Sequence, residues 1–173
     1  MSKDTPPKTH RYLDEAGDTT FYGKGKTLIV GQKGVSLAFI MGMLKINEPP
    51  EIFREKVIQF QNKIAQDEWL KTIPSVKKRI DRKGYFLHAK DDPSEIRYLA
   101  YNFIKTLDCS FEAVVGRKIP NVFIKKHHQK ESVFYADLLS HLLKNKFRSD
   151  KQFVLNVSKR GNTTSNNTLE SAL

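Results

Sequence analysis

The chain of 173 residues carries 30 lysines and arginines against 19 acids, a formal charge of +11, and is 39 % hydrophobic. That apolar content excludes disorder throughout, and a single cysteine, Cys109, excludes an intramolecular disulfide and any multi-cysteine zinc site. With no apolar leader and no run long enough to span a bilayer, the expected place is the cytoplasm and the expected partner is a polyanion, nucleic acid ahead of an anionic membrane surface, unless the charge serves solubility alone.

Residues 1–10 read as a polar tail, and one domain is expected over 11–173. Arg11 to Asp14 reads as the first strand, followed by strands at Thr27 to Gly31 and Val35 to Leu44, the last apolar on both faces as a central strand is. Pro49 and Pro50 end it and open a helix near Glu51, where Phe53, Val57, Phe60 and Ile64 recur at helical spacing. Residues 69–84, with Lys77, Lys78, Arg79, Arg82 and Lys83, read as an irregular, exposed basic insertion.

Tyr85 to His88 reads as a short strand, and Asp92-Pro93-Ser94-Glu95 as the capped start of a helix whose apolar face is Ile96, Leu99, Phe103 and Leu107. A strand over Ser110 to Lys118, a basic loop with Lys125, Lys126, His127 and His128, a helix over Ser132 to Phe147 and a strand over Phe153 to Ser158 follow. Thr168 to Leu173 reads as the first turn of a further helix. The order of elements describes an α/β fold, a mixed sheet with helices on its faces.

The stretch Arg11-Tyr12-Leu13-Asp14-Glu15-Ala16-Gly17-Asp18 runs from an apolar strand into three acids and a glycine. Grouped carboxylates resist joint ionisation, and a hard divalent ion, Mg2+ or Mn2+, relieves that; a polar turn after an edge strand is the other reading. Neighbours on a strand point to opposite faces, so Asp18, brought round by Gly17, is slightly preferred to Glu15 as the partner of Asp14. His88, between an apolar stretch and a helix start, fits a general acid, a phosphate contact or a structural histidine. Asp91 or Asp92 is needed to cap that helix, and Cys109 reads as a small buried residue.

Tyr12-Leu13-Asp14-Glu15-Ala16-Gly17-Asp18 resembles the opening "Y-[IL]-D-E-[SA]-G" signature of the family catalogued as domain of unknown function 3800, and Phe86-Leu87-His88-Ala89-Lys90-Asp91-Asp92 resembles its central "F-H-A-x-D" block. Phe134 to Leu139 and Lys159-Arg160-Gly161 fit further downstream. The resemblance implies a ribonuclease-H-like domain, with three antiparallel strands and then alternating helices and strands. It also implies a metal-dependent nuclease-like site.

On that footing Asp14, His88 and Lys118 are the expected catalytic residues, with Asp14, Glu15, Asp18 and Asp137 as metal ligands. Asp137 stands four residues before His141 on a helix, and a solvated aspartate paired with a lysine is the preferred reading of it. Arg117 and Lys118 should end the strand beside the first, where the superfamily often carries an acid; Lys118 could neutralise phosphate charge there instead. Lys77, Lys78, Arg79, Lys125, Lys126 and Arg160 are the expected nucleic-acid contacts. The late "Q-x-A-D" helix of the family is missing, so the domain reads as C-terminally incomplete.

Two functions follow: a divalent-metal-dependent nuclease acting on phosphodiesters, or a catalytically silent nucleic-acid-binding or regulatory subunit of a mobile-element or defence system. An unfinished last helix further implies a homodimer, or a partner chain, covering the sheet near Leu155, Leu169 and Leu173.

Overall fold

A computed structural model describes residues 8–147 and 151–158. The fold is α/β, built on a four-stranded mixed sheet of strand order β3-β2-β1-β4. β1 (Lys8–Gly17) pairs antiparallel with β2 (Ala38–Ile46) and parallel with β4 (Gln152–Val157). β3 (Cys109–Arg117) is the edge strand on the far side of β2. The Lys118 amide donates to Leu37 O and the Asn47 amide to Asp108 O, so the start of β2 meets the end of β3 and the two run antiparallel.

The residues separate into two compact units, one of 1–45 and 110–173 holding the sheet, the other of 46–109, made of helices. In the sheet unit β1 alternates as its sequence requires: Leu13 is buried, while Tyr12, Asp14 and Ala16 point to the opposite face. Leu13, Phe39, Met41 and Met43 pack under Phe134, Tyr135, Leu138, Leu139 and Leu142 of α5 (Glu131–Leu143). The α5 residues fall at i, i+1, i+4, i+5 and i+8, one stripe of a helix. Phe21 completes this core, stacked on Phe123 at 3.7 Å between ring centres, with Phe134 edge-on at 5.3 Å. Phe123 belongs to α4 (Pro120–His127).

In the helical unit α1 (Pro50–Gln66), α2 (Pro74–Lys83) and α3 (Ser94–Ile104) bury Ile64, Leu70, Val76, Tyr85 and Ile96, with Phe60 stacked on Phe103 at 4.5 Å. No helix among the described residues is long and apolar enough to cross a membrane.

Several expectations need correction. β1 begins at Lys8, inside the expected tail, because β4 pairs with it from Lys8 onward, three residues before β2 does. Thr27 to Gly31 is no strand; it contributes one bridge, Tyr22 with Leu28, after a 3-10 turn over Lys24–Lys26. β2 starts at Ala38, three residues late, because Asp18 takes both the amide and the hydroxyl of Ser36. The supposedly irregular 69–84 contains α2, and the supposed basic loop contains α4. Tyr85 to His88 pairs with no strand among the described residues, and β3 neighbours β2 rather than β1. Lys159-Arg160-Gly161, Leu169 and the expected last turn lie outside the described residues.

Candidate functional site

Asp14 stands on the sheet face away from α5, beside a cavity of about 550 Å³ that Tyr12, Ile40, Leu44, Phe111 and Asn156 also line. Ser158, just past β4, donates to its Oδ1 at 2.7 Å. Glu15, one residue on, lies on the other face, where the Tyr135 hydroxyl donates to Oε1. Gly17 turns the chain after them with φ of +85°, and a Cβ there would come within 2.7 Å of Ala38 O. That turn carries Asp18 away to Lys118, whose ammonium, with no exposed side-chain surface, donates to Asp18 Oδ1 at 2.6 Å and to Thr20 O at 3.0 Å. Burial would raise the Asp18 carboxyl, but hydrogen bonds from Lys118, Ser36 and the Thr20 amide outweigh it and hold it below its ordinary value.

Asp137 is likewise committed. It accepts from Lys126 at 2.8 Å and lies 3.1 Å from Nε2 of the buried His127, with His141 3.7 Å off on the next turn. Burial, again the largest single influence, is overcome first by the hydrogen bonds from Lys126 and His127, and the carboxyl is held low. The pairing with a lysine was one of the two expected outcomes, but the lysine comes from α4. His127 is therefore an interior residue and not part of an exposed basic loop.

The four acids expected around one ion thus have four separate commitments: Asp14 with Ser158, Glu15 with Tyr135, Asp18 with Lys118, Asp137 with Lys126 and His127. No group of three histidines, cysteines or acids that could hold a metal ion occurs among the described residues. The donor set described does not fit Mg2+ or Mn2+, which need several oxygens converging on one point. Nor is Lys118 placed to meet a phosphate, being sealed against Asp18. His88 lies in the helical unit, half exposed, with Nδ1 3.3 Å from Asp91.

A different cluster does converge. In α2, Ser75, Lys78, Arg79, Arg82 and Lys83 fall on one helical face at i, i+3, i+4, i+7 and i+8, and with Phe86 and Asp91 they line a cavity of about 540 Å³. Lys78, Arg82 and Lys83 are exposed, whereas Arg79 is buried. The Arg79 guanidinium lies 5.0 Å from the ring centre of Tyr85 and 5.7 Å from that of Phe86, and Nη2 donates to Asp92.

Asp92 gathers the segment after α2: it also accepts from the Tyr85 hydroxyl at 3.1 Å and from the His88 amide at 2.6 Å. Burial first, then the Asp92 charge, pushes the Tyr85 hydroxyl pKa up, so the phenol stays protonated as the donor. This corrects the expected cap, since neither Asp91 nor Asp92 makes a side-chain cap to α3. Arg82, Lys83 and Phe86 were not among the expected contacts. For Arg82 and Lys83 the signal was the helical spacing of the basic residues, hidden by reading 69–84 as irregular.

Lys77 is exposed but does not line this cavity, and Arg160 lies outside the described residues. Lys125 and Lys126 are exposed in the last turn of α4, the second already paired to Asp137. Searches of protein-family models, of curated proteins and of solved structures give no match to this chain.

Proposed function

We propose that the protein is a cytoplasmic nucleic-acid-binding module that grips the phosphate backbone with the basic face of α2. The observation that carries this is the cavity lined by Lys78, Arg79, Arg82 and Lys83 against a single rim carboxylate, Asp91. Cations so arranged displace counterions from a polynucleotide, and the formal charge of +11 favours the encounter. The likeness of Tyr12 to Asp18 and Phe86 to Asp92 to the domain of unknown function 3800 signatures supports a ribonuclease-H-like ancestry, in which Asp14 is retained on β1. A metal-dependent nuclease needs a ligand set that the described residues do not assemble, so no hydrolytic step is assigned.

Fluorescence anisotropy with a labelled oligonucleotide over a salt series tests this. Reversing Lys78, Arg82 and Lys83 together to glutamate should weaken binding and lower the slope of log affinity against log salt by about two, at roughly 0.7 per single-strand phosphate lost. An unchanged slope removes α2 from the footprint and moves it to Lys125 and Lys126. If Mn2+ in the same tubes yields cut product that Asp14→Asn abolishes, the protein is a nuclease instead.

A further inference from the structure

The α2 cavity has one wall that phosphate does not explain. Phe86 is 45 % exposed and is an aromatic ring lining a cavity whose other walls are largely basic. The Arg79 guanidinium lies over the ring and is itself held by Asp92 and placed over Tyr85. The segment carrying the ring is tied down because Asp92 accepts from the His88 amide two residues later. Arg79 Nε and Nη1 are buried with no hydrogen-bond acceptor among the described residues, so the guanidinium is held on this wall by Asp92 and by the two rings. An aromatic ring among Lys78, Arg82 and Lys83 is the arrangement that takes a base on its π-face and phosphates at its margin.

A base inside a duplex has no face to offer. We infer that the α2 cavity binds single-stranded nucleic acid, with an unpaired base stacked on Phe86 and the flanking phosphates held by Lys78, Arg82 and Lys83. This rests on the nucleic-acid-binding function proposed above and adds the strand state of the ligand. Asp91, on the rim and paired with His88, opposes phosphate locally but is outnumbered by the cations.

The test measures anisotropy of a fluorescein-labelled dT12 strand and of a duplex of equal length, on the full chain, with Phe86→Ala, Phe86→Leu and Phe86→Trp. Phe86→Ala should lower single-strand affinity roughly 5- to 100-fold. The salt slope and the weaker duplex binding should stay as they were, and Phe86→Trp should keep or raise single-strand affinity. Phe86→Leu preserves bulk without the π-face, so it should resemble Phe86→Ala; full affinity in Phe86→Leu overturns stacking. Equal loss for strand and duplex, or no loss in Phe86→Ala, also overturns it. If those outcomes come with a reduced slope in the Lys78, Arg82 and Lys83 triple variant, backbone binding by α2 stands and only the single-strand assignment falls. If neither dT12 nor the duplex binds the wild type, both fall together.

Discussion

Lys118 and Asp18 form an unequal pair: the ammonium has no exposed surface, whereas the carboxylate is 40 % exposed. Removing each partner therefore has a different cost. Asp18→Ala strands a buried cation and should cost about 3–5 kcal/mol, while Lys118→Met leaves a carboxylate that water can reach and should cost clearly less. Urea unfolding of both variants checks this, and the reverse order would mean that the lysine is not the buried partner. Because the folded Asp18 carboxyl is held below its ordinary 3.8, its stabilising contribution is complete above that pH and fades as pH falls through the lower folded value. The acid limb of stability should accordingly be shallower in Lys118→Met, which lacks the main cation holding Asp18 low. None of this was legible in the sequence, where a lysine just past a strand has no mark of burial and reads as a phosphate contact. Asp14 and Glu15 were legible, because alternation along a strand is fixed by geometry and puts them on opposite faces whatever the surroundings.

At the scale of elements, strands with a strong apolar alternation were read to within a few residues, and elements whose apolar positions are few were not. α2 has Val76 and Ile80 as its only apolar inward residues among ten, so its five basic residues looked like a loop. Only their spacing shows a helix. β3 illustrates a constraint that sequence states obliquely. Gly116 is buried under α5, and a Cβ there would come within 2.5 Å of one Leu138 methyl and 2.9 Å of both the other methyl and the Phe134 ring. Gly42 on β2 has a similar conflict at 2.7 Å, but with Phe111, whose ring is 67 % exposed on the face away from α5 and has room to turn aside. Gly116→Ala should therefore cost about 1–3 kcal/mol by overpacking, and Gly42→Ala should cost less. Thermal melts of the two variants decide it: equal losses would mean that α5 shifts as readily as the exposed ring does.

The division into two units is the feature of the whole molecule that the sequence concealed. Apolar stripes on α1 and α3 were visible, but a stripe says that a helix buries a face and not which core receives it. The ends of the 46–109 unit meet: the Asn47 amide donates to Asp108 O at 3.0 Å, and Asn47 Nδ2 to Asp108 Oδ1 at 2.8 Å. A segment whose ends meet can be set between two strands of a hairpin, here β2 and β3, without disturbing their register. Its core, Ile64, Leu70, Val76, Tyr85 and Ile96, shares no buried residue with the core of the sheet unit. Separate cores give separate cooperative openings. Ile96 is fully buried, so Ile96→Ala should remove about 2–5 kcal/mol from the helical unit alone. Hydrogen exchange read peptide by peptide is the measurement: amides within 46–109 should exchange faster in the variant, and those of β1, β2 and α5 should keep their wild-type protection. Acceleration spread evenly over both sets would mean that the chain opens as one body and that the two cores are thermodynamically a single core.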